Sequence, residues 1–176
     1  MNHRRFAITI CVLSALTFVS AYADEVRGFA ISAGIGPSTI EDVDGDETFS
    51  GDGFGWSIDL EYRVSQYFAL GLGVMSFGEA DDFFEGADVS LEAGATNFFV
   101  RGVLPVTDSI ELYGRLGSAI YSTDSRFFDL GEGPSYAVGI DIGRQEHWSF
   151  RIEGLRIDGE DREDGSLITA GVSYLF

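Results

Sequence analysis

Nine charged residues recur at alternate positions within apolar segments: Asp59, Glu61 and Arg63 in one, Glu111 and Arg115 in a second, Arg151 and Glu153 in a third, with Arg101 and Asp141 in two more. A spacing of two puts such side chains on one face of a strand. Carboxylates and guanidinium groups on facing strands can pair, and the planar arginine fork suits a carboxylate because it offers two N–H groups at once. Enclosed together, these groups would form a packed polar core or a gated path for water and ions. Asp42-Val43-Asp44-Gly45-Asp46 offers carboxylates at alternate positions about a turn glycine, the kind of oxygen set that Ca²⁺ favours. An EF-hand loop would need a glutamate at the twelfth position from Asp42, where Gly53 stands, so a solvated acidic segment accounts for Asp42, Asp44 and Asp46 better. His147-Trp148-Ser149, with Glu153 or Glu160 downstream, sets a base near a hydroxyl, the parts of a serine nucleophile.

Strands must position these groups, and the period of two runs through the chain. Segments near Arg27–Gly36, Gly53–Arg63, Tyr67–Phe77, Leu91–Leu104, Ile110–Tyr121 and Ser135–Gly143, one beginning at Trp148, and a last one ending at Phe176 alternate apolar with polar or small residues. In the second, Trp56, Ile58, Leu60 and Tyr62 oppose Ser57, Asp59, Glu61 and Arg63. The alternation is expected to break at Gly154-Leu155, where a bulge would fit. Between the segments, long acidic connections (Pro37–Asp52, Gly78–Ser90, Ser122–Gly133, Asp158–Gly165) alternate with short ones (Val64–Gln66, Pro105–Ser109, Arg144–His147). That rhythm predicts an all-β fold, an eight-stranded antiparallel up-and-down transmembrane β-barrel with both termini on the short-turn side. The charged face would then point inward, because lipid meets the apolar one. Trp56, Tyr62, Phe68, Tyr136, Trp148 and Tyr174 fall near strand ends, as interfacial aromatic girdles do.

The first 23 residues read as a secretory signal: Arg4 and Arg5, an apolar run from Phe6 to Val19, then Ala21-Tyr22-Ala23. The expected division is a signal peptide over 1–23 and a barrel domain over 24–176. Cys11, the one cysteine, leaves with the signal, so no disulfide staples the exported domain. Lysine is absent; 11 basic residues face 29 acidic ones, and the net charge is −18. Such a chain repels nucleic acid and other polyanions. Acids concentrate in the long connections, where divalent cations should gather.

The strand rhythm, Ala21-Tyr22-Ala23, Glu111-Leu112-Tyr113-Gly114-Arg115-Leu116-Gly117 and the Tyr174-Leu175-Phe176 ending together resemble the outer membrane protein β-barrel family, the small barrels of the outer membrane protein A and X type. The resemblance spans the whole exported chain. It implies the outer membrane of a Gram-negative bacterium as location, a monomer, and no cofactor. It implies partners in outer-membrane lipid and lipopolysaccharide, with divalent cations or host surface molecules at the loops. Ending at strand eight, the chain is expected to lack the cell-wall domain of the larger members. The expected role is a non-enzymatic surface protein presenting acidic loops; the alternative is a small gated porin-like channel. The His147-Trp148-Ser149 triplet also resembles that of the lipid A deacylase barrels. There, however, an asparagine follows the serine where Phe150 stands here, and His147 falls on the periplasmic side, away from outer-leaflet substrate. No catalytic residue is therefore expected.

Overall fold

Alternating apolar and polar residues build eight strands: β1 (Gly28–Asp44), β2 (Glu47–Arg63), β3 (Phe68–Phe84), β4 (Ala87–Thr107), β5 (Ile110–Thr123), β6 (Leu130–Ile142), β7 (Trp148–Asp158) and β8 (Glu163–Leu175). In this computed structural model they pair antiparallel in chain order, and β8 closes on β1. The structure describes residues 27–44, 47–84, 87–123, 130–143, 147–159 and 163–176. The signal segment 1–23, Asp46 and Glu160 lie outside the described residues. Closure pairs the backbone of every strand on both sides, which is what a spanning sheet in lipid requires.

The outward face is apolar. Phe54, Trp56, Ile58, Leu60 and Tyr62 of β2 all point away from the barrel, as do Leu70, Leu72 and Val74 of β3, Val138 of β6 and Phe150 of β7. From Phe54 to Tyr62, at ~3.3 Å per residue along a strand tilted by ~40°, this stretch of β2 stands about 20 Å tall, most of the ~25 Å apolar band of a barrel in a membrane. Aromatic rings cluster at its lower edge, where Tyr174 packs against Trp148, Phe176 and His147, and Phe29 against Tyr62.

The strands outrun their expected ends. The β1–β2 ladder continues residue by residue to Asp44↔Glu47, and β3–β4 to Phe84↔Ala87. Pro37–Asp52 and Gly78–Ser90, expected as long loops, are thus mostly two-stranded ribbons. The hydrophobic alternation that marks a strand is interrupted in these segments by runs of acidic residues and glycine, so the sequence pattern does not show the pairing. Pro37 lies within β1. It has no N–H to donate, and the β1–β8 ladder skips Gly36 and Pro37 yet keeps its register on either side. The bulge expected at Gly154-Leu155 is absent: β7 pairs without a shift through both residues. Irregularities fall instead at Ser76/Gly78 and Pro105/Thr107. At the first, Gly78 adopts φ 76°, a conformation costly for any residue with a Cβ.

Candidate functional site

The inward positions collect into layers. At the short-turn end, Arg63 of β2 crosses to Glu111 of β5 at 3.0 Å. One rung up, Arg101 of β4 and Arg151 of β7 hold two carboxylates between them. Arg101 donates to Glu61 at 2.6 Å and also to Asp141, while Arg151 donates to Glu61 at 2.7 Å and to Asp141 at 2.9 Å. Ser32 of β1 accepts a further N–H from Arg151 at 2.8 Å. In the next layer, Arg115 of β5 lies between Asp59 (3.1 Å) and Glu153 (2.7 Å), and the Tyr113 hydroxyl donates to Glu153 at 2.8 Å. All nine charged residues of the sequence pattern are buried here, Arg101 completely.

Two inward aromatics support the arginines. The Arg101 guanidinium stacks on Tyr113, 3.8 Å from the ring centre, and Arg115 on Phe99 at 3.6 Å. Desolvated cation–π contacts of this kind are worth about 2 kcal/mol each. The rings fit because the strands beside them carry glycine. A Cβ at Gly71 would fall 2.2 Å from Phe99, and one at Gly139 2.3 Å from Tyr113.

Above the charges the lumen turns apolar. Met75, Phe77, Ala95, Ala119, Ala137, Leu155, Ile157 and Leu167 form one buried cluster. Phe77 spans the barrel here: a Cβ on Gly165 of β8 would come 2.9 Å from its ring, and its carbonyl accepts the Ser38 hydroxyl of β1. That these residues meet and seal the lumen becomes visible only on closure. Asn97, also inward, is fully buried between the charged and apolar layers.

The other sequence candidates separate. Asp42 and Asp44 sit in β1 opposite Phe49 and Glu47. Among the described residues no group of three or more His, Cys, Asp or Glu side chains is placed to hold a metal. His147 stacks on Tyr174 at the short-turn end, and Ser149 pairs with Ser173 in the β7–β8 ladder. Glu153, which would have to orient the histidine, instead has both oxygens bound by Arg115 and Tyr113. Towards the opposite rim, Arg156 faces outward and bridges Asp158 (2.7 Å) and Asp164 (2.6 Å) in the open.

A family model described as "Outer membrane protein beta-barrel domain" matches residues 9–176. Outer membrane protein A of Serratia marcescens is 23% identical over 143 residues, a match covering 71% of this chain and 40% of that protein. The chain thus spans about two fifths of that relative's length. Among solved structures, OprG of Pseudomonas aeruginosa aligns with a TM-score of 0.65 at 12% identity, covering 88% of this chain and 98% of that one. The Ail protein of Yersinia pestis, crystallised with the heparin analogue sucrose octasulfate, aligns with a TM-score of 0.57 at 14% identity, covering 86% and 100%.

Proposed function

Because the chain belongs to the outer membrane protein beta-barrel domain family, and so resides in the outer membrane, we propose that it is a non-conducting, non-enzymatic scaffold that raises acidic hairpins above the membrane surface. The observation that carries this reading is the doubly sealed lumen. Interlocked arginine–carboxylate pairs fill its lower half and the Phe77 cluster its upper half. An eight-stranded barrel is only wide enough to be filled by side chains, and an apolar seal resists water even when charged groups below it rearrange.

The ribbons supply the surface role. Above the apolar band, β1–β2 and β3–β4 run on for some seven residues, about 20 Å at strand rise. They carry Glu41, Asp42, Asp44, Glu47 and Asp52 on one, and Glu79, Asp81, Asp82, Asp88 and Glu92 on the other. Ail binds a sulfated polyanion analogue. A chain of net charge −18 should instead repel polyanions and take cationic surfaces, or lipopolysaccharide phosphates bridged by divalent cations. Closure leaves no free sheet edge for a second copy, which favours a monomer.

Planar-bilayer recording tests the scaffold reading: the reconstituted protein should give no stable conductance. Persistent steps that change when Arg115 is neutralised would instead establish a channel. Shortening the ribbons over 39–50 and 79–90 should abolish Ca²⁺-dependent binding to lipopolysaccharide and leave the barrel folded. Fatty-acid release from lipid A that vanishes in Ser149→Ala would overturn the non-enzymatic reading.

A further inference from the structure

The lipid-facing wall is hollowed where β1 meets β8. Two outward positions there carry only a methyl group, Ala33 on β1 and Ala170 on β8. The register sets Ala33 between Ile58 of β2 and Val172 of β8, and Ile35 between Trp56 of β2 and Ala170. Ile35, Trp56, Ile58 and Val172 are all exposed, so they stand as walls around a low floor. Together they enclose an apolar groove of about 460 Å³. Sites for small molecules occupy ~300–1,000 Å³.

The floor is low because the two strands press together. A Cβ on Gly171 would stand 1.9 Å from the Ala33 carbonyl oxygen, and one on Gly34 2.9 Å from Cβ of Thr169. Glycine at both positions also leaves the barrel wall thin. Ala33, Gly34, Ser57 and Gly171 line the groove on the outside and a narrow void on the lumen side, beside Asp59, Arg151 and Glu153. Only backbone separates lipid from the buried charges here.

What covers the groove follows from its position. It lies within the apolar band, which in an outer-membrane barrel meets lipid throughout. Ile58 is midway between Tyr62 and Phe54 on β2, and Trp56 is nearer Phe54, so the groove opens into the leaflet on the ribbon side. Ser57 is the one polar lining residue and is buried, so the groove suits a hydrocarbon chain and not a headgroup. Two convex barrels meet along a line, so a second copy would leave most of the hollow empty.

We propose that this groove is a binding site for one acyl chain of a lipid from the ribbon-side leaflet, and that the chain takes the place of the outward side chains missing at Ala33 and Ala170. A chain lying in a groove touches protein beneath it and on both sides, whereas one on the convex wall touches it on one side only. Dispersion contacts add up over that larger surface. The seated lipid is therefore retained when detergent strips its neighbours.

The test follows that retention. The full chain, refolded into vesicles of phosphatidylcholine with brominated chains, is extracted into mild nonionic detergent, washed free of loose lipid and weighed intact by native mass spectrometry. One phosphatidylcholine per chain should remain. Its bromines should cut the emission of Trp56, read alone in Trp148→Phe, by half or more relative to protein from unbrominated vesicles. Ala33→Leu combined with Ala170→Leu fills the floor and should retain no lipid. Gly102→Leu, on β4 where an added Cβ would meet nothing within 4 Å, should still retain one. No retained lipid on the unmodified protein overturns the proposal. So does a retained lipid that leaves Trp56 unquenched or persists in the folded double variant, because it then sits elsewhere. A mass of two chains without lipid gives the groove to a second copy and equally refutes it. If the double variant fails to fold, the retained mass and the Trp56 emission decide alone.

Discussion

Replacing Arg101 with methionine is the sharpest test of the interior. Arg101 is wholly buried and gives one charged hydrogen bond to Glu61 and one to Asp141. Hydrogen bonds to charged groups are worth about 1.5–3 kcal/mol each. Breaking a buried pair by removing one partner costs about 3–5 kcal/mol, because the other charge stays behind. Methionine preserves much of the packing volume beside Tyr113 while deleting the charge, so the two figures describe the same loss and are not summed. The expected destabilisation is about 4 kcal/mol. With a urea dependence of ~1–3 kcal/mol per M, the midpoint should fall by roughly 1.3–4 M. Unfolding from lipid vesicles can be followed by the fluorescence of Trp56 and Trp148, both of which face outward. Adding Glu61→Gln to Arg101→Met should recover part of the loss, with a coupling of at least ~1 kcal/mol, because it removes a carboxylate that has lost a partner. A loss below ~1 kcal/mol, the level of a solvent-exposed ion pair, or strict additivity in the double variant, would refute the view that these charges form one interlocked unit.

Other perturbations should rank by where they fall. Phe77→Ala removes the ring that spans the apolar seal and should cost about 3–5 kcal/mol in the same unfolding assay. Val138→Arg puts a charge on the lipid-facing side, where Val138 is 71% exposed, and should destabilise by about 2–4 kcal/mol in vesicles if Val138 lies near the bilayer midplane. Arg156→Ala breaks two ion pairs of 2.7 and 2.6 Å, similar in length to several inside, yet they lie in the open, so its midpoint should move by less than the equivalent of ~1 kcal/mol, and less still at high salt.

Strand identity, facing and closure order were legible because lipid imposes a rule on every second residue. Trp56 to Tyr62 on β2 could lie only outward, and Asp59 and Glu61 then only inward. For the same reason the nine interior charges could be named from spacing. The ribbons were not legible: within Pro37–Asp52 and Gly78–Ser90 acidic residues and glycines interrupt the apolar alternation that marks a strand, although the ladders continue there. The apolar seal was hidden for a different reason. Met75, Phe77, Leu155, Ile157 and Leu167 read as ordinary apolar residues, and β7 looked broken at Leu155.

Sequence alone determined the wall, because each outward side chain answers to one bulk medium and needs no partner to be placed. Only the tertiary structure decided the contents of the barrel. Which carboxylate shares Arg115 and which ring lies under Arg101 depend on the register of eight ladders at once. A slip of one residue in any of them would turn a charged side chain towards lipid. The five carboxylates and four arginines stood in the sequence, but their partnerships acquired physical meaning only when closure buried all nine together.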